Sequence, residues 1–470
     1  MKSFNHFWIA FLIVHALPAQ DSKRMNLQQC IDQAWNNNLQ LRQSLLQVQQ
    51  NEINLLQSKA QSLPTLNASA SHTYNTGRRI DLFTNQFADQ RVLSQNFSLS
   101  SGVNLFAGLS NWNSIKANSE SLKAAKLSAE QFKNDIALQV ANAFLSVLLA
   151  DELLKIAESQ FTLAEKQTER AKLLLDAGRS AMGDFLQVEA NRDNESLNRV
   201  RARNNKEAAL LSLAQLIQLE DASGFDIEAP DFSKTEVKLP AFEANQVYTN
   251  ALQWQPGILS AERSVTSADF LLKAARGQYL PTLSAFGGIG TGYSELSRKV
   301  TGVETQQQNI GSIDGVPILL DVNVPTYALT PFNEQLDQNF NRTFGFSLNV
   351  PLFNNLRTRS QVSLQKIAVD NARIQADIQK NQLRRDIQTA WQNAKAAYER
   401  LTATTKALNA TEKAFEYTTT RYDEGLLNIY DFTAGRNQLV AAQSNQAQAR
   451  FELILRLKIL DFYLGKPIAF

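Results

Sequence analysis

The sequence predicts a membrane protein that combines an all-α coiled coil with a β-barrel, built from two similar helix–strand–strand–helix halves. Three observations predict it. The chain is written twice, four segments of about ten residues alternate apolar and polar, and two stretches of about seventy residues keep helical periodicity without a proline.

The duplication is legible by eye. SLPTLNASAS at 62–71 returns as YLPTLSAFGG at 279–288, 217 positions on. From Leu105-Phe106 an offset of 247 holds without a gap for roughly a hundred residues. It maps Ile136, Val140, Ala143 and Phe144 onto Leu383, Ile387, Ala390 and Trp391, Gly178 onto Gly425, Asp184-Phe185 onto Asp431-Phe432, and Leu210 and Leu213 onto Leu457 and Leu460. Each copy is a module whose apolar face needs its twin. The offset grows once, between strand-like segments, so a loop lengthened while the helices did not. Length alone would suggest about three domains. The repeat instead divides the chain into a first half at 25–221, a linker at 222–242, a second half at 243–465 and a tail at 466–470.

At the N-terminus Lys2 precedes an apolar run, Phe7 to Leu17, followed by Ala16-Leu17-Pro18-Ala19-Gln20 and the charged Asp21-Ser22-Lys23-Arg24. This reads as a secretory signal peptide over 1–20, the alternative being a buried N-terminal helix. Past residue 24 no run of about eighteen apolar residues is evident, so no spanning helix is expected. Cys30 is alone, which excludes an intramolecular disulfide, and it lies beyond the charged stretch, which argues against a lipid anchor; a small residue on the first helix is the simpler reading. Forty-seven Lys and Arg against 45 Asp and Glu announce no nucleic-acid partner. Of the three histidines, His6 and His15 leave with the signal, so only His72 remains; neither a His-based metal site nor any cofactor is expected.

The strands come next, near 64–75, 93–106, 281–293 and 341–353. In Thr65–Tyr74 one face carries Leu66, Ala68, Ala70, His72 and Tyr74 and the other Thr65, Asn67, Ser69, Ser71 and Thr73. Phe97, Leu99, Val103 and Leu105 alternate in the second segment, and Phe344, Phe346, Leu348, Val350 and Leu352 in the fourth. Leu283, Ala285, Ile289 and Tyr293 give a weaker third, diluted by glycines. Alternation of this length marks a membrane β-barrel strand, although a half-buried strand of a soluble sheet would look the same. Four strands cannot close a barrel with a lumen, and an open sheet in lipid leaves unpaired backbone groups at several kcal/mol each. Three chains sharing one barrel of twelve strands resolve both problems. Of the connecting loops Asn75–Arg91 is moderate, whereas Ser294–Asn341 is long and polar, as on the exterior side of a barrel.

From about Ala107 to Asp176 and from about Asn354 to Glu424 apolar residues recur at steps of three and four, as in Ile115, Leu122, Ala125, Ala129, Phe132, Ile136, Val140, and in Leu383, Ile387, Ala390, Ala394. Seventy residues make a rod of roughly 100 Å, which suggests a coiled coil. Charges such as Glu165/Glu169 with Lys166/Arg170 read as solvating. Both rods stop at a glycine, Gly178 in LLLDAGRSAMGDF and Gly425 in TRYDEGLLNIYDF, fitting the left-handed residue that ends a helix. Asp184 and Asp431 open the returning helices, where an N-cap or first-turn carboxylate is the plain structural role.

Together with LPTL before the first strand of each pair and PLFNN at 351–355 after the last, these features resemble the TolC family, outer-membrane efflux proteins of Gram-negative bacteria. The resemblance covers essentially the whole mature chain. It implies a homotrimer with a twelve-stranded barrel in outer-membrane lipid, continuous with a twelve-helix periplasmic tunnel, with the linker and C-terminus in an equatorial region. It implies no chemistry: the chain would be the passive exit duct of a tripartite efflux pump or type I secretion system, joined through a periplasmic adaptor (membrane fusion) protein to an inner-membrane transporter. Carried over by position, Gly178, Asp184, Tyr422, Gly425 and Asp431 fall on the tips where the entrance closes and the adaptor docks, and a Tyr422 hydroxyl donating to an Asp184 carboxylate would make a latch. Leu427 stands where a gate arginine is often found, and Ala434 where a second acidic residue often completes an anionic ring. The competing reading is a periplasmic coiled-coil adaptor or structural protein. An enzyme is the least supported class, since GGIGTG at 287–292 sits in a strand whose twin reads ASASHT.

Overall fold

A computed structural model describes residues 24–230 and 242–466. The proposed signal peptide, much of the linker and all but the first residue of the tail lie outside these residues. In chain order the elements are β1 (Arg24–Met25), α1 (Leu27–Asn37), α2 (Leu39–Ala60), β2 (Thr65–Asn75), β3 (Arg79–Ile80), β4 (Phe87–Ala88), β5 (Val92–Ala107), α3 (Ser110–Asp176), α4 (Met182–Leu216) and β6 (Asp226–Ile227). The second half follows with α5 (Ala244–Trp254), α6 (Pro256–Gly277), β7 (Thr282–Ser294), β8 (Arg298–Ile313), β9 (Val316–Leu329), α7 (Phe332–Gln338), β10 (Asn341–Asn349), α8 (Arg357–Asp423) and α9 (Ile429–Tyr463).

The duplication extends to element lengths. α1 and α5 each have 11 residues, and α2 and α6 each have 22, all at an offset of 217. α3 and α8 each have 67 residues and α4 and α9 each have 35, at an offset of 247. A helix buried along a stripe cannot gain one residue without rotating that stripe by about 100°, so the helices kept their register while the loops grew.

The described residues cluster into two units, the first holding 24–50, 123–263 and 373–466 and the second 51–122 and 264–372. The first unit is helical. Its largest core joins Cys30, Ile31 and Ala34 of α1 to Ile136, Val140, Phe144 and Val147 of α3 and to Leu213 and Ala214 of α4. In the second half Val247 and Ala251 of α5 meet Leu383 and Ile387 of α8, and Ala390 and Ala394 meet Leu460 of α9. Burying a Leu, Ile or Phe side chain contributes about 1.5–3 kcal/mol, so these stripes are the main source of the unit's stability. α3 contains an 18-residue window of mean hydropathy 1.5, 44% buried, and so is long and apolar enough to cross a membrane, against the expectation from sequence. The stripe behind that hydropathy, Ile136 to Leu148, is the core stripe itself, which explains the apolar run without a bilayer.

The second unit is built on one antiparallel sheet in the order β10-β7-β5-β2. Pro64 and Pro281 immediately precede its first strand in each half, and β10 stops at Asn349, short of Phe353, because Pro351 cannot donate to a ladder. All residues of β2 but Asn75, and all of β10 but Gly345, are exposed. A soluble sheet would bury one face under its own chain; here, among the described residues, the apolar rows Leu66 and Tyr74, and Phe344, Phe346 and Leu348, are uncovered, and both outer strands keep a free edge. The polar segment read as the long loop 294–341 is ordered: β8 and β9 form a hairpin and α7 packs beside β7.

Candidate functional site at the helix tips

Both rods of the first unit end in the same backbone device. Gly178 has φ +68°, with the Arg179 N–H donating to Leu174 O at 2.8 Å and the Gly178 N–H to Leu175 O at 2.9 Å. Gly425 has φ +75°, with the Leu426 N–H donating to Arg421 O at 2.8 Å and the Gly425 N–H to Tyr422 O at 3.1 Å. These paired bonds form a Schellman motif, which satisfies the last carbonyls and reverses the chain. Among the described residues nothing lies within 4 Å of a Cβ built on either glycine, so conformation selects the residue.

The returning helices start differently. Asn428 caps α9, its Oδ1 accepting from the Asp431 N–H at 2.9 Å, whereas Ala181 at the start of α4 offers no side-chain cap. Asp184 and Asp431 are each the third residue of their helix, neither being the cap itself. Each places a carboxylate beside the positive end of the helix dipole.

Across the two tips Arg170 of α3 reaches Asp423 of α8. Its guanidinium pairs with the carboxylate and donates a second bond to Asp423 O at 3.0 Å. Arg170 therefore joins the tips and is not one of the merely solvating charges. The Tyr422 ring stacks on Phe432 at 4.5 Å between centroids and 32° between planes, and the Arg170 guanidinium lies 5.9 Å from the Tyr422 ring. Phe432 is 1% exposed and also contacts Phe415 at 5.4 Å. Burial pushes the Tyr422 phenol up; Arg170 draws it down, while Asp423 and Asp184 push it further up. The hydroxyl therefore stays protonated at neutral pH.

Tyr422 and Asp184 line the same cleft of about 510 Å³, which Arg170, Leu427 and Gly425 also line. No hydrogen bond joins Tyr422 to Asp184 among the described residues of the chain. Asp431 lies at the start of α9 without lining that cleft, and Gly178 supplies the turn behind it. The sequence gives no hint of Arg170 and Asp423 as partners, since they stand 253 residues apart; Phe432 was the more visible, through its alignment with Phe185.

Behind the tips α4 and α9 are clasped. Asn191 Nδ2 donates to Thr433 Oγ1 at 3.3 Å, and Arg436 Nη2 to Glu195 Oε1 at 2.9 Å. The latter side chains are 4% and 9% exposed. Burial depresses the Arg436 guanidinium and the neighbouring Glu195 opposes that.

Comparison with known proteins decides the family. The signature of the family described as outer membrane efflux protein matches twice, at 30–217 and 247–466. The chain belongs to the outer membrane efflux protein family. The two matched blocks fall on the two halves of the duplication. The outer membrane efflux protein BepC of Brucella suis is 23% identical over 75% of this chain and 68% of its own length. The outer membrane protein TolC of Escherichia coli K12 is 21% identical over 94% of this chain and 83% of its own. Among solved structures, the Campylobacter jejuni CmeC outer membrane channel superposes with a TM-score of 0.73 at 18% identity, covering 95% of this chain and 86% of that one. This member of the efflux family is an outer-membrane protein and acts as an exit duct for export.

Proposed function

We propose that three copies of this chain close one twelve-stranded barrel in the outer membrane and one twelve-helix tunnel in the periplasm. The duct conducts substrate passively for an inner-membrane transporter to which a periplasmic adaptor joins it. The observation that carries this is the sheet: four strands with, among the described residues, two free edges and apolar rows left uncovered. In lipid each unpaired backbone group costs several kcal/mol, and only closure removes the edges. Pairing β2 of one copy with β10 of the next achieves closure by threefold symmetry.

The tips are the entrance. Gly178 and Gly425 form the turns, Asp184 and Asp431 mark the openings of the returning helices, and Tyr422 holds the cleft with Arg170 and Asp423. Arg170 supplies the cation that Leu427 does not. In purified protein in planar bilayers, Tyr422→Phe combined with Asp184→Ala is expected to raise single-channel conductance. Wild-type conductance, with stability lowered by about 0.3–1 kcal/mol, would reduce Asp184 to a helix-dipole carboxylate and remove both residues from the gate.

A further inference from the structure

Among the described residues the β8–β9 hairpin pairs with no other strand, yet it is firmly rooted. At its base Gln335 of α7 accepts from the Ser294 N–H at 2.9 Å and donates to Ser294 O at 3.0 Å and Thr330 O at 2.9 Å. The Ser294 hydroxyl donates to Asp81 at 2.7 Å, and Ser294, Gln335 and Asp81 are all 2% exposed or less. Lys299 pairs with Glu334, and the Thr330 N–H closes on Ser297 O at 2.9 Å. A Cβ on Gly292 would meet the Phe83 ring at 2.0 Å, so that loop is also packed hard against β7. The buried network holds the hairpin out as a defined element.

Its two faces differ. Paired residues of an antiparallel ladder share a face, and β9 runs without a bulge, so its even positions lie on one side. That side carries Ile313, Val316, Ile318, Leu320, Val322 and Val324, all exposed except the half-buried Val322. Opposite the last three stand Gln308, Gln306 and Glu304. Between 305 and 323 the other side carries Thr305 with Asn323, Gln307 with Asp321 and the exposed apolar Leu319; nearer the base it also carries Val303 and Tyr327, so the contrast is confined to the outer part of the hairpin. A lone two-stranded hairpin is marginal in water, and an uncovered apolar row makes it more so.

We infer that this apolar face packs against the same face of the other copies of the chain, the three hairpins forming a collar at the barrel end from which the hairpin leaves β7. The inference rests on the trimer proposed above. Three features select a second copy as occupant. The free edges of β2 and β10 in the same unit already require neighbouring copies alongside. The Gln-rich row beside the apolar one suits a self-complementary protein contact, since amides both donate and accept, and does not suit lipid. Pro317 and Pro325 of β9 cannot donate to the ladder and so occupy positions that point away from β8, which blunts that edge against strand addition and leaves the face for contact.

Leu320→Cys on the apolar face and Asp321→Cys on the polar face test this in the full-length protein, where the native Cys30 is buried and does not compete. Each variant is purified in mild detergent, weighed by native mass spectrometry and oxidised with copper phenanthroline. The expected result is a three-chain mass for both, with disulfide-linked dimers for Leu320→Cys and few or none for Asp321→Cys. A three-chain mass without Leu320→Cys dimers, or with equal dimers from both, overturns the collar and leaves the trimer standing. A single-chain mass overturns both. Leu320→Cys that is shielded from a water-soluble maleimide on intact cells but forms no dimer would assign the face to lipid or a different protein, and so overturn the collar as well.

Discussion

Arg436 donates to Glu195 across 2.9 Å and so ties α9 of the second half to α4 of the first, with both side chains almost wholly removed from solvent. Breaking a buried pair strands a charge, at about 3–5 kcal/mol, whereas replacing both partners by apolar groups of similar size is often neutral. Arg436→Met alone is therefore expected to lower the temperature at which the helices unfold, and Arg436→Met with Glu195→Leu to recover most of the loss. Thermal unfolding followed by circular dichroism measures it. Equal destabilisation by the single and double changes would show that the two residues act apart.

The glycines at the tips give a second expectation. Gly178→Ala and Gly425→Ala meet no neighbour, so each pays only for holding a left-handed conformation, about 1–2 kcal/mol. Amide exchange should quicken in the last turn of α3 or α8 and stay unchanged in the core stripe around Val140 and Phe144. Quickened exchange in the core would make the turns part of a larger cooperative unit.

Arg170 supplies a third. Arg170→Ala removes the ion pair to Asp423 and the cation beside Tyr422. Conductance in planar bilayers should rise as it does for the change at Tyr422 and Asp184, and the combined variant should add little. Full additivity would place Arg170 outside the gate. Stability should fall by under about 1 kcal/mol, because both partners are roughly half exposed.

Cys30 offers a probe of the first unit. The thiol is 0% exposed, and burial pushes it up to about 12. At pH 8 it is a thiol and not a thiolate, hence inert to maleimide in the folded protein and reactive only after unfolding. Rapid native labelling would show that α1 opens from the core.

Much of this was written in the sequence. The repeat fixes which helices are twins, and Ile136, Val140 and Phe144, and Leu383 and Ile387, could be placed in cores by spacing alone because a 3.6-residue period has one buried stripe. The glycines could be placed because a left-handed turn has few alternatives. What escaped was non-local or non-periodic. Arg170 and Asp423 meet through tertiary packing, and nothing near either residue announces it. The hairpin at 298–329 was hidden because glutamines and bulges at Thr301 and Ile310 break its alternation. The apolar run of α3 escapes notice because Gln139, Asn142 and Ser146 interrupt it, although a core stripe and a membrane span share its composition.

Orientation follows from the same hairpin. Epitope tags inserted between Asn309 and Asp314 should be labelled on intact cells with the assembly preserved. Labelling only after the outer membrane is permeabilised would reverse the topology.

The central claim is that one barrel is shared by three chains. The mass of the mature protein in mild detergent, taken together with its β content, tests it most directly. The account predicts a particle with the protein mass of three chains. A monodisperse single chain that keeps its full β content would contradict it, because four strands with two free edges would then be stable alone.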